Sequence, residues 1–197
     1  MKKRRAAHAP LTMLLAAAAV LSGCSTPMQP PITGYTCCNL RAEHGWISSN
    51  NVQGGTLIPA GEPVQLTTIK KRYYVYGTVG GNEVAFRDDA AATEDDTLQW
   101  LRRITVAEDP RNRLEQWPDL TRLAVRAGRV STGMTRDQVL MSLGLPSRND
   151  TRDLDGPVWR YWTGLHEHPV DLHFGADSRL ARIDGRPEVV RHIVFAP

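Results

Sequence analysis

His166-Glu167-His168, followed by His173, is the grouping in this chain with the most chemistry to offer. Histidines that alternate along a strand project from one face, and imidazole suits zinc, copper or nickel. The spacing is not His-Glu-x-x-His, however, and Gly164 to Pro169 reads as a turn between strands, where polar residues need no function. The metal reading is set aside, and no metal or other cofactor is expected. There is no Gly-x-Ser-x-Gly, no phosphate-cradling glycine loop and no carboxylate pair that can be placed. No catalytic residue is assigned, and the chain is not expected to be an enzyme. Cys37 and Cys38 are adjacent in "GYTCCNL", too close to staple a long loop to each other. They are left to close a vicinal ring, to pair between molecules or to stay as thiols, and they lack the Cys-x-x-Cys spacing of thiol exchange or zinc.

Aromatic residues offer recognition where catalysis is missing. Trp100, Trp117 and the run "VWRYW" supply rings that anchor interfaces at low entropic cost, although core packing accounts for most of them. Two short helices cannot cover both faces of a sheet, so one face or edge of that strand is expected to stay open. Trp159, Tyr161 and Trp162 are therefore the candidate partner surface. The Tyr73 to Val79 hairpin is a second candidate.

The amino terminus carries an address. Lys2, Lys3, Arg4 and Arg5 precede an apolar run of 11 residues, Leu11 to Leu21, far short of the roughly 20 that cross a bilayer as a helix. The junction Leu21-Ser22-Gly23-Cys24 resembles the lipobox of bacterial lipoproteins. That resemblance implies cleavage after residue 23, a diacylglycerol thioether on Cys24 and an acylated amine. Several acyl chains make such an anchor effectively permanent. Ser25, where an Asp would favour inner-membrane retention, implies the outer membrane, with the chain facing the periplasm. The four basic residues of the leader account for the formal charge of +3; without them 20 basic residues face 21 acidic ones, a net −1. Nothing in that balance calls for nucleic acid or an anionic surface.

The elements that must position these groups follow from local pattern. Residues 1–23 are the signal peptide, and residues 24–38, rich in Pro, Ser, Thr and Gly, read as a lipidated flexible tether. Residues 39–90 form a small β-rich region: "WIS", "VQLTTI", "RYYVYGTV" and "EVAFR" are strand-like, with Gly80-Gly81-Asn82 as a hairpin turn. Residues 91–197 begin with helices. Thr93 and Asp96 can cap one, Pro110 and Pro118 each suit a first helical turn, and Leu120, Leu123, Ala124 and Ala127 recur at helical spacing up to Gly128. "GMTRDQVLMSLGLP" specifies a further short helix, with Thr135 and Gln138 as a capping box, Met134 and Val139 as a staple, and Gly144 as a left-handed stop before Pro146. "VWRYW", "VDLHF" and Leu180 to Ile183 then alternate as three strands. The expected fold class is α+β, with a C-terminal two-layer unit of two helices on a three-stranded antiparallel sheet, preceded by the small β region and connecting helices.

"GMTRDQVLMSLGLPSRNDT", Trp159-Arg160-Tyr161 and "LHFGADSRLARI" together resemble the BamE/SmpA/OmlA family of outer-membrane lipoproteins, over roughly residues 130–184. The resemblance implies a non-enzymatic partner of the machinery that inserts β-barrels, built as two helices against three strands. The family's partner-binding segment, with a Gln-Gly-Asn element, lies just before the Gly-Met-Thr helix. Here "WPDLTRLAVRAGRVST" takes that place, and Gln53-Gly54-Gly55 lies some 80 residues too early, so no family binding residue transfers. The expected function is a lipid-anchored scaffold in envelope integrity or barrel assembly, with outer-membrane assembly subunits as partners. The alternative is a periplasmic ligand-binding or enzyme-inhibitor module of β-lactamase-inhibitor-like fold. An envelope hydrolase or metal protein resting on His166, His168 and His173 ranks third.

Overall fold

The computed structural model describes residues 25–164 and 168–197 and folds them around two hydrophobic cores. The first core begins where a tether was expected. Ser25–Thr36 is strand β1, antiparallel to β5 (Pro63–Lys70), with Ser25 opposite Lys70 and Tyr35 opposite Pro63. Proline removes a ladder donor and belongs at a bulge or an edge. Both conditions hold. The register shifts between Pro27 and Ile32, where Pro30 and Pro31 sit, and β8 (Thr105–Val106) pairs with β1 only at Tyr35 and Thr36. The flexible tether at residues 24–38 is thus corrected: from Ser25 onward the segment is sheet, and Met28 and Cys38 are buried in its core.

Strands β6 (Tyr74–Val79) and β7 (Asn82–Arg87) continue from β5 as a meander, and β3 (Trp46–Ser48) joins β7 in parallel. The result is a six-stranded sheet in the order β3-β7-β6-β5-β1-β8. At Gly77 the strands leave no room for a side chain, since an added Cβ would stand 2.0 Å from the Gln65 carbonyl oxygen. Helix α1 (Glu94–Ile104) closes this core with Trp100, Leu101 and Ile104, its start fixed by the Thr93/Asp96 capping box. Trp100 meets Phe86 edge-on at 6.0 Å.

The second core lies under β9 (Val158–Thr163), β10 (His168–Phe174) and β11 (Leu180–Asp184), an antiparallel sheet in the order β11-β10-β9. Trp159 and Tyr161 of β9 and Val170, Leu172 and Phe174 of β10 turn inward by the two-residue alternation of strands. Residues of α2 (Arg111–Leu114), α3 (Asp119–Arg126), α4 (Arg136–Leu143) and α5 (Pro187–Ile193) share that core.

This corrects the expected α+β fold class. Among the described residues the chain is mostly β, 39% strand against 22% helix, organised by a curled six-stranded sheet and a separate three-stranded one, and the helix-helix-sheet layout for the C-terminal part is not what forms. The physical reason is element length. Each of α2 to α5 is eight residues or fewer, too short to stand without tertiary packing, and α3 packs on α4 while α5 packs on β10. The division at residue 90 does not separate cores either, because α1 and β8 belong with the first sheet.

Side-chain amides join the two cores. A helix leaves its last carbonyls without intrahelical partners. Those around the end of α4 are taken by side chains just before β2 (Leu40–Ala42) and just before its antiparallel partner β4 (Thr56–Ile58). Asn39 is buried: its Nδ2 donates to the carbonyls of Val125 at 2.6 Å and Ser142 at 3.0 Å, and its Oδ1 accepts from the Ala60 N–H at 2.9 Å. Asn51 donates to the Leu143 and Leu145 carbonyls, Gln53 donates to Leu143, and the Tyr161 hydroxyl donates to Gly144 at 2.8 Å. Gly144 stands at φ 79° and ψ −176°, so α4 stops on these side chains and not on the expected left-handed turn. A buried ion pair adds a second link: the Asp88 side chain, fully enclosed after β7, accepts from Arg148 beyond α4.

Candidate functional site

The aromatic strand is not the open surface it was expected to be. Trp159 and Tyr161 are fully buried, with the Trp159 indole N–H donating to the Leu154 carbonyl at 3.0 Å. Burial alone pushes the Tyr161 hydroxyl well above the ordinary tyrosine range. Trp162 is half-buried on the opposite face, where its Nε1–H donates to Asp150 at 2.8 Å. That outer face is ionic. Arg160 pairs with Asp171 through two hydrogen bonds, which raise its pKa, and His173 and Arg182 both reach Asp184. The candidate surface of Trp159, Tyr161 and Trp162 is corrected to two core residues and one rim residue.

The histidines do not assemble. His168 and His173 differ by an odd number along β10, so they leave opposite faces of the strand, and His166 lies outside the described residues. Among the described residues no three His, Cys, Asp or Glu side chains are placed to hold a metal. Cys24 also lies outside them. Cys37 and Cys38 are joined as a vicinal disulfide, the first of the three alternatives their spacing left open.

What the structure leaves exposed is α3. Pro118 starts it without needing a donor, and Gly128 at φ 62° stops it, with the Gly128 and Arg129 N–H groups returning to the Val125 and Ala124 carbonyls. Ala124 and Val125 face the core, and the small Ala124 allows close approach to α4. The leucines go the other way: Leu120 is 59% exposed and Leu123 50% exposed, with Ala127 continuing their line one turn on. Charges rim the stripe. Arg122 pairs with Asp119, Arg126 pairs with Glu115 at 2.6 Å, and Arg113 lies 5.9 Å from the Trp117 ring. The recurrence of Leu120, Leu123, Ala124 and Ala127 was legible, but periodicity does not say which of two apolar faces docks.

A second feature is a cleft of about 740 Å³ lined by Arg41, Glu43, His44, Trp46, Tyr74 and Arg87, among others. It opens beside the tight turn Glu43-His44-Gly45-Trp46, in which His44 and Gly45 both take positive φ. Trp46 stands edge-on to Tyr74 at 5.6 Å and is 42% exposed. Burial, and then the charge of Arg129, lowers the Arg41 pKa below the ordinary range. Its guanidinium donates to the Gly128 carbonyl at 3.2 Å. Asp89 is engaged by Arg87 and by the Ser48 hydroxyl, while the Glu43 carboxylate, on the same lining, has no ion pair among the described residues.

No protein-family model, no curated protein and no solved structure matches this chain. Among the described residues no helix is long and apolar enough to cross a membrane.

Proposed function

We propose that this chain is a lipid-anchored outer-membrane lipoprotein, facing the periplasm, that works as a non-enzymatic scaffold in envelope integrity or in the assembly of β-barrel outer-membrane proteins. The solvent-facing stripe Leu120, Leu123 and Ala127 carries the scaffold reading. An apolar centre with a charged rim is the anatomy of a protein interface, and clustered exposed leucines mark such sites better than isolated ones. Two features of the sequence support the envelope address: the lipobox at Cys24 and the BamE/SmpA/OmlA-like motifs of residues 130–184. The stripe also directly precedes Gly133-Met134-Thr135, where that family places its partner-binding segment.

The test is affinity capture from detergent-solubilised membranes with the parent chain and with Leu120→Glu/Leu123→Glu. Recovery of barrel-assembly subunits by the parent, lost in the double variant at an unchanged melting midpoint, is the expected result. Equal recovery by both would refute the role of α3. The cleft beside Trp46 favours one other reading, a periplasmic ligand-binding or inhibitor module, and a soluble enzyme or small ligand in the eluate would select it.

A further inference from the structure

We propose that the end of β5 and the β5–β6 loop are a phospholipid contact: Lys70, Lys71 and Arg72 rest on the anionic headgroups of the membrane that holds Cys24, and so set how the fold stands on it. The proposal rests on the lipid-anchor reading. Four of the 24 basic residues are lysines, and after the leader's Lys2 and Lys3 the only ones are Lys70 and Lys71. Everywhere else the folded chain uses arginine. Sheet register places this pair. Ser25, bonded to Cys24, is the residue opposite Lys70. Paired strands lie about 4.8 Å apart, so an anchor one residue before Ser25 brings the loop within a Debye length of about 8 Å of the headgroups.

Three further observations bear on the loop. None of Lys70, Lys71 and Arg72 forms an ion pair among the described residues, whereas Arg87, Arg148 and Arg160 each do. Lys71 and Arg72 also take φ of 54° and 43°, a region that favours glycine and asparagine. Cationic side chains kept at such positions are better explained by what they present to solvent than by the turn they make. Tyr73 follows directly, 5.9 Å from the Arg72 guanidinium, and tyrosine suits the headgroup level. Opposing charge comes from the first turn of α1, which Thr97 ties to the loop by donating to the Arg72 carbonyl at 2.7 Å. Of its acids, Asp96 is engaged by the cap and Asp95 by Gln99. Glu94 is the one without such a partner among the described residues. A compact, hydrated ammonium on a long flexible stem can reach outward past that turn.

The acylated protein is reconstituted into phosphatidylcholine vesicles with and without phosphatidylglycerol, or kept in detergent, and treated with an amine-acylating reagent. With the terminal amine blocked, Lys70 and Lys71 are the only amines that react, and mass spectrometry reads them. Each basic side chain near an anionic surface contributes on the order of fivefold in partitioning. Protection of roughly that size in anionic vesicles, abolished by high salt and absent in the neutral ones, is expected. Equal labelling in all three environments overturns the proposal. A second measurement is independent of the anchor: unlipidated Cys24→Ser protein should lose on the order of a hundredfold in anionic-vesicle binding when Lys70→Glu/Lys71→Glu/Arg72→Glu is added. Unchanged binding overturns the proposal equally. The same digest reports whether Cys24 is acylated, so failure of the anchor reading and failure of the loop contact are told apart.

Discussion

Asn39 is where the two cores are joined, and its removal should be felt by both. In Asn39→Leu, of similar volume, three side-chain hydrogen bonds disappear: those to the Val125 and Ser142 carbonyls and that from the Ala60 N–H. Each is worth about 1 kcal/mol net, and stranding a buried donor adds about 1 to 2 kcal/mol. The Val125 carbonyl keeps the Gly128 N–H at 2.9 Å, which spares part of the loss. Leucine's gain in apolar burial offsets about 1 kcal/mol, leaving a destabilisation of about 3 kcal/mol. Asn39→Asp separates hydrogen bonding from volume. Its carboxylate keeps the Ala60 N–H but faces two carbonyl oxygens, so its folded pKa must rise above the unfolded value near 3.9. A raised carboxyl pKa means the native state holds the proton longer, so the deficit of this variant grows as pH rises above about 4. Urea unfolding followed by tryptophan fluorescence, compared at constant slope, gives both numbers. A loss below about 1 kcal/mol for Asn39→Leu, or a pH-independent deficit for Asn39→Asp, would refute the junction as described.

Other consequences are simpler to check. Gly144→Ala puts a Cβ 2.9 Å from the Asn39 carbonyl oxygen at φ 79°, and should cost at least about 2 kcal/mol in the same unfolding assay. Arg148→Met leaves the enclosed Asp88 carboxylate with its Ala90 N–H alone, and a destabilisation of about 3 kcal/mol is expected from urea midpoints. Tyr161, with its pKa raised by burial, should stay protonated above the pH at which an unfolded tyrosine ionises, about 10. Its contribution to stability is complete below that value and is lost as pH climbs through the folded pKa, so an alkaline ultraviolet titration should show one tyrosine ionising only with unfolding.

Local chemistry was readable in the sequence wherever it was self-contained. The capping boxes at Thr93/Asp96 and Thr135/Gln138 are contacts within three residues, and the Gly80-Gly81 turn is forced by its own backbone. Strand β1 was missed because its prolines argue against a ladder, and the bulge that accommodates them depends on β5, some forty residues away. Asn39, Asn51 and Gln53 look like loop polarity until α4 arrives from about ninety residues on to need their amides. The aromatic strand was read with the right alternation, but alternation does not report that Trp159 and Tyr161 face a core built by four short helices. On α3 the reverse holds: the largest apolar side chains face water, and the small ones pack. The candidate site therefore moved from a sheet to a helix for a reason of size, since close packing against α4 admits Ala124 more readily than leucine.

The central claim is that this fold is held at a membrane through Cys24 and offers α3 to a protein partner from there. Its most direct test is the mass of the amino-terminal peptide of the protein isolated from outer membranes. The account predicts a peptide that begins at Cys24 and carries a thioether-linked diacylglycerol and an acylated amine. A mature chain beginning elsewhere, or an unmodified Cys24 in a protein recovered from the soluble fraction, would contradict it.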